Sequence, residues 1–380
     1  RSMPPAMMII GIPKEVKIQE HRVAMIPSAA AELTKRGHRV VVETGAGADS
    51  SYSDGQYVAA GAEILPDADA VFSEATLITK VKEPQPEEVA RLRPEHILFT
   101  YLHLAADKNL TEGLMASGCT AIAYETLEVN GRLPLLEPMS EIAGRMASMV
   151  GSYHLAKHRG GRGILLGGVP GVAPGKAMII GGGTAGINAA RVATGIGADV
   201  TIVEVDLERM RFLDITMHEA QTLYSTEANI ASMLARTDLI IGAVLIPGSS
   251  APKVITREML GQMQPGSVFV DIAIDQGGCS ETSRPTTHEE PTYLEEDVLH
   301  YCVTNMPGAY ARTATQALNN ATHRWTHLLV DQGLTEACRT RPEFISGINC
   351  AHGKLTSRPV GESHGIEVAE AAEVLGLEVG

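Results

Sequence analysis

Residues 179–204 read IIGGGTAGINAARVATGIGADVTIVE, and this stretch decides the fold. The apolar run 177–180 (AMII) predicts a buried strand. It meets Gly181-Gly182-Gly183-Thr184-Ala185-Gly186, a G-x-G-x-x-G. A helical stretch follows, then a second apolar strand, 200–203, closed by Glu204, which stands 23 residues after the first glycine. The glycines alone are weak support. With a strand before, a helix after and an acid about 20 residues on, they form a dinucleotide-binding fingerprint. Gly181 permits the tight turn, Gly183 lets the backbone approach a pyrophosphate, and Gly186 lets the helix pack on the strand. Thr184 and Ala185 open that helix, whose free N–H groups and dipole favour negative charge. The plainer alternative is an ordinary glycine-rich turn between a strand and a helix.

Working outward, the first third alternates short apolar strands with helical stretches. Strands are predicted at 8–12, 40–43, 75–81, 97–102 (ILFTYL) and 120–124 (TAIAY), and a helix at 29–36, stopped by Gly37. Such alternation gives a mostly parallel sheet with helices on both faces. Residues 139–158 contain no proline and predict a long helix; 160–175, with seven glycines and two prolines, is a loop. The nearly all-apolar runs 239–246 and 268–272 predict further buried strands of the fingerprint unit. A last helix is expected at 314–331. The expected architecture is α/β, two doubly wound Rossmann-type domains with a cleft between them, linked by long helices. Residues 135–307 form the nucleotide domain, and 7–134 plus 308–380 the substrate domain. Residues 1–6 (RSMPPA) are set aside from the fold.

Composition narrows the function. A chain of 380 residues with 44% hydrophobic content supports full-sized cores. Its 31 basic and 45 acidic residues give a net charge of −14, which argues against nucleic acid as a partner. No apolar run approaches the roughly 20 residues of a membrane span. Five cysteines, an odd number with no C-x-x-C, fit reduced thiols in the cytoplasm better than a disulfide framework or a zinc site. His154 and His158 have i, i+4 spacing but lack the H-E-x-x-H glutamate, so a structural role is preferred and no metal is expected.

A nucleotide domain that binds a nicotinamide cofactor needs a partner that supplies substrate contacts, and ligands of open α/β sheets bind beyond the carboxyl ends of the strands. Four residues stand near such ends: Arg22, Lys82, His103 and Asp275. Arg22 and Lys82 suit a substrate carboxylate, or are surface charges. His103 offers an imidazole, the side chain that ordinarily titrates near neutrality, or is a satisfied core histidine. Asp275 is a proton carrier or a helix cap before Gly277 and Gly278.

Several segments resemble the alanine dehydrogenase and pyridine nucleotide transhydrogenase family over nearly the whole chain. They are GIPKE (11–15), EHRVA (20–24), KVKEP (80–84), FTYLHLA (99–105), MSEIAGR (139–145), GGVPGV (167–172), IGGGTAG (180–186), GAVLIPG (242–248), DIAIDQGG (271–278), SRPTTH (283–288) and NMPG (305–308). The resemblance implies NAD-dependent, reversible oxidative deamination of L-alanine to pyruvate and ammonium. Arg22 and Lys82 would hold the substrate carboxylate, His103 would be the general acid/base, and Asp275 would help activate water. The glycine loop would carry the pyrophosphate and Glu204 the adenosine ribose, Glu204 standing where the family usually has Asp. Ser140, Asn305 and Met306 match positions lining the cofactor cleft. The family's enzymes are typically homohexamers of two-domain subunits. The rival readings are the nucleotide-binding part of a proton-translocating transhydrogenase, which belongs to a membrane assembly, and a non-catalytic NAD sensor on the same scaffold.

Overall fold

Short runs of β-branched and aliphatic residues form the strands, since these side chains fit a pleated surface covered on both faces. The computed structural model describes residues 8–246 and 250–377; residues 1–6, and Pro247 and Gly248 of the GAVLIPG stretch, lie outside the described residues. The chain divides into two compact units, Arg1–Pro138 with Tyr310–Gly380, and Met139–Ala309.

The first unit opens with β1 (Ile9–Ile12), β2 (Arg39–Glu43), β3 (Glu63–Leu65), β4 (Leu77–Thr79), β5 (Ile97–Thr100) and β6 (Thr120–Ala123). The second unit holds β7 (Lys176–Ile180), β8 (Asp199–Glu204), β9 (Ala220–Tyr224), β10 (Leu239–Gly242), β11 (Val268–Asp271), β12 (Thr292–Glu295) and β13 (Val298–Tyr301). The chain then adds β14 (Ile348–Ala351) and β15 (Lys354–Leu355) to the first sheet.

The strand orders are β15-β14-β6-β5-β4-β1-β2-β3 and β12-β13-β11-β10-β7-β8-β9. Among the described strands the antiparallel pairings are β12 with β13, β14 with β6 and β15 with β14; the rest are parallel. Both sheets therefore grow one way from their first strand and then reverse, the doubly wound order with a crevice beside that strand. In the first sheet the reversal lies between β1 and β4; in the second, between β7 and β10.

Two long helices serve the units. Ala311–Gln332 buries Ala311, Ala314, Leu318, Trp325 and Leu329 along one stripe and stops at Gly333, φ +77°. It fastens to the loop after β1: Thr315 Oγ1 accepts from the Val23 N–H at 3.2 Å, and Asn319 Oδ1 from the Ile26 N–H at 3.1 Å. The second helix, Glu137–His154, ends four residues earlier than its sequence suggests. The chain folds back across its end: the Gly163 N–H reaches Leu155 O at 2.7 Å, and a Cβ on Gly161 would lie 2.2 Å from His154 O. His154 and His158 consequently bond separate partners, Val150 O and Tyr153 Oη.

Gly144 sits on the inner face of that helix, where a Cβ would lie 2.2 Å from the backbone oxygen of Ala185. Only a glycine lets the helix approach the start of the helix Thr184–Gly195 so closely. Gly144→Ala is expected to lose about 1–3 kcal/mol of stability through overpacking. A denaturation midpoint equal to that of the parent protein would contradict this packing.

Candidate active site

The glycine loop joins β7 to the helix Thr184–Gly195. Its three motif glycines answer to three different demands. Gly181 holds φ +101°, and a Cβ there would meet Ala243 O at 2.8 Å. A Cβ on Gly186 would fall 1.8 Å from Gly181 O, so helix and loop touch backbone to backbone. Gly183 meets no atom within 4 Å on its Cβ side. Space is thus kept open at the mouth of the helix. Gly183 caps that helix without a side-chain hydrogen bond, and no acidic residue stands in the first turn. Unclaimed N–H groups and a positive helix end suit an anion such as a pyrophosphate. The residues fit a dinucleotide.

Glu204, at the end of β8, binds back to this loop. Its Oε2 accepts from the Gly182 N–H at 2.6 Å, and its Oε1 from the N–H groups of Val205 and Asp206 at 3.1 and 3.2 Å. Arg209 Nε donates to Gly182 O at 2.6 Å, so the loop is gripped from both sides.

In the first unit, β5, β4 and β1 lie side by side and parallel. The loops after them carry His103, Lys82 and Arg22, so three sequence-predicted residues emerge along one edge of the sheet, at its point of reversal. Each is held in a particular way. Arg22 is 2% exposed, and Glu20 accepts both its Nε and Nη2 at 2.7 Å. Burial opposes the guanidinium's charge, but the Glu20 carboxylate outweighs it and raises its pKa. Lys82 is half-buried, its backbone N–H fixed by Glu15 Oε1 at 2.8 Å. His103 is exposed and left-handed, φ +51°, a conformation costly for most residues and tolerated by His, Asn and Asp. Its N–H and that of Leu102 are bound by the Glu125 carboxylate at 2.9 and 3.1 Å. Removal from water raises the Glu125 pKa against these bonds.

The second unit places Asp275 on a 3-10 turn, Ile272–Gln276, directly after β11. Asp275 is exposed and does not cap the turn. Asp271 does, its buried carboxylate accepting from the N–H groups of Ala273 and Cys279 at 3.0 and 2.9 Å. Ser140 is half-buried on Glu137–His154. Asn305 takes φ +56°, and Met306 packs into the core of its unit, 3% exposed.

Sequence reasoning missed the supporting carboxylates. Glu15, Glu20 and Glu125 lie inside or beside quoted motifs, but only the fold shows which N–H groups they reach. It also passed over Lys80, which is 1% exposed and bonds Glu15 Oε2 and Glu88 Oε2 at 3.0 and 2.9 Å. Two carboxylates thus share one buried ammonium, and burial pushes Glu15 up to about 7 although Lys80 pulls it down. Its pKa is raised above the unfolded value, so its contribution is full below about pH 4.5 and is lost as pH rises through about 7. Between pH 5 and 8 the parent protein is expected to lose more melting temperature than Glu15→Gln. Parallel melting curves over that range would exclude a titrating Glu15.

The family described as "Alanine dehydrogenase/PNT, N-terminal domain" matches residues 11–143, and "Alanine dehydrogenase/PNT, C-terminal domain" matches residues 147–358. A relative from Halomonas elongata, named alanine dehydrogenase, is 53% identical over 97% of this chain and 100% of its own length. A solved structure titled L-alanine dehydrogenase superposes with TM-score 0.91 at 47% identity, covering 94% of this chain and 99% of that one. A transhydrogenase structure from Sinorhizobium meliloti follows at TM-score 0.79 and 25% identity, covering 92% and 99%. Matched in both halves and in order, at about half identity to a relative along its whole length, the chain belongs to the alanine dehydrogenase/PNT family.

Proposed function

We propose that the protein is an NAD-dependent L-alanine dehydrogenase, converting L-alanine and water to pyruvate and ammonium, and the reverse. The observation that carries this reading is the trio Arg22, Lys82 and His103 at the ends of three neighbouring strands, within a chain near half identity to named alanine dehydrogenases. In this reading Met139–Ala309 binds the cofactor and the other unit the substrate.

Arg22 and Lys82 hold the carboxylate of alanine or pyruvate. Glu20 fixes the plane of the guanidinium, and Glu15 fixes the backbone of Lys82, so the substrate is oriented by groups that need not reorganise. A bound nicotinamide supplies the hydride acceptor. His103 takes and returns the proton at the substrate nitrogen or oxygen, its backbone secured by Glu125. Asp275 is the second proton carrier and activates water. The pyrophosphate rests on Gly181, Gly183, Thr184, Ala185 and Gly186, with Ser140, Asn305 and Met306 contributing to the same cofactor.

NAD rather than NADP is supported by Glu204, whose carboxylate accepts ribose hydroxyls and repels a 2′-phosphate. The nearby cations are occupied: Arg209 on Gly182 O and over Phe212, Arg211 on Glu208 at 2.5 Å. The resemblance supports a homohexamer, and five buried free cysteines support a reducing, cytoplasmic setting. Among the described residues no helix is long and apolar enough to cross a membrane.

The direct test is alanine-dependent NADH formation, with kcat/KM for NAD well above that for NADP. Hydride exchange between nucleotides without alanine turnover would favour a transhydrogenase role instead. Arg22→Ala and Lys82→Ala are each expected to weaken pyruvate binding by roughly 1.5–3 kcal/mol, the range for a hydrogen bond to a charged group, with NADH affinity near that of the parent. Loss of NADH affinity with pyruvate affinity intact would refute the assignment. His103→Asn keeps the left-handed backbone while removing the imidazole, and with Asp275→Ala it should cut turnover at least about a hundredfold. Both variants should melt and bind NADH normally. Near-normal turnover in either would remove that residue from the mechanism.

A further inference from the structure

His323 and His327 stand four residues apart on the unbroken helix Ala311–Gln332, so their imidazoles share one face. The ring centroids are 4.0 Å apart. Opposite them, on the helix Pro27–Lys35, Glu32 places its Oε2 2.9 Å from His323 Nε2 and 3.9 Å from His327 Nε2. One ligand atom from each of the three lies within 4.8 Å of the others. The His327 side chain is 10% exposed, and its Nε2 has no hydrogen-bond partner. A buried ring nitrogen without a partner, facing a carboxylate and a second imidazole, is unusual for a purely structural contact.

We propose that His323, His327 and Glu32 bind a borderline transition-metal dication such as Zn2+, joining the helix Pro27–Lys35 to the helix Ala311–Gln332. Two imidazoles and one carboxylate form a zinc donor set that leaves the fourth tetrahedral position for water. Bonds of about 2.0–2.1 Å place ligand atoms roughly 3.4 Å apart in a tetrahedron, so small side-chain rotations close the site. Mg2+ prefers an all-oxygen octahedron and does not suit these donors.

The surroundings agree. Burial, then His323 and Arg36, lower the His327 pKa against the opposite pull of Glu32 and Asp331. Arg36 is itself paired with Asp331, which also bonds His38 Nε2 at 3.0 Å. Glu32 therefore leaves the cluster an excess of negative charge for a dication. The longer helix also holds the Arg22 loop through Thr315 and Asn319, so the metal would staple the helix that follows that loop to the helix that anchors it.

The test uses untagged, chelator-treated full-length protein, ZnCl2 as titrant, and metal content measured after desalting. The expected result is one Zn2+ retained per chain and a raised melting temperature, with no rise in MgCl2. Glu32→Gln, at an exposed position, and His323→Ala, at a half-buried one, should each weaken binding at least about tenfold. His327→Gln should abolish retention, while the exposed His218→Ala leaves it unchanged. X-ray absorption of the loaded protein should show nitrogen ligands at about 2.0–2.1 Å. No stoichiometric uptake, or uptake undiminished in Glu32→Gln and His323→Ala, overturns the proposal.

Discussion

Where a parallel strand ends, its last N–H groups run out of neighbours, and a loop that begins there has nothing to hold its direction. This chain meets the difficulty repeatedly with one device, a carboxylate brought in from another loop or strand end. Glu15 binds the N–H groups of Val81 and Lys82 beyond β4, and Glu125 binds those of Leu102 and His103 beyond β5. Glu204 does the same for Gly182 beyond β7, while beyond β11 the strand's own last residue, Asp271, takes the N–H groups of Ala273 and Cys279. A carboxylate can accept several such donors at once, and the bonds are stronger for its charge. The glycine loop and the loops carrying Lys82, His103 and Asp275 are thus tethered near their starts, and the Arg22 loop has Glu20 and the long C-terminal helix.

Such tethers exact an electrostatic cost. Burial raises the pKa of Glu15, Glu125 and Asp271 against the bonds that lower it. Lys80 offsets part of this in the first unit, buried between two acids. The excess of acidic side chains in the composition is therefore not only a solvated surface. Part of it is structural, placed where the backbone would otherwise be left unpaired.

The fold was legible wherever the sequence carried a two-sided apolar run. β7, β8, β10 and β11 are such runs, and the strand–glycine loop–helix–strand unit followed from them. Edge strands were not legible. β3 has no buried residue and β9 reads half-exposed throughout, so neither shows the buried signature, and β15 is two residues long; the inner strand β14, though buried, joins the sheet from the far end of the chain. Strand ends were overestimated for the same reason: 239–246 stays apolar past Gly242 because those residues pack beyond the ladder, not within it. At the candidate site, Arg22, Lys82 and His103 were found by their position after strands. Glu15 and Glu125 were not, because a hydrogen bond across 67 or 22 residues of chain leaves no local pattern, and Glu20, two residues from Arg22, reads in sequence like any surface acid. The cluster of His323, His327 and Glu32 was hidden likewise, its carboxylate lying on a different helix far away in the chain.

The three motif glycines of the loop after β7 answer to different forces, to judge from what a side chain would strike at each. At Gly186 a methyl group collides with backbone, and at Gly181 both backbone and torsion object. At Gly183 the protein itself offers no objection. In a deep mutational survey the first two positions would register in cellular abundance, as folding defects cleared by quality control. Substitutions at Gly183 would accumulate to normal levels and register only in function, making that position a sensor of ligand occupancy that the folding machinery cannot see.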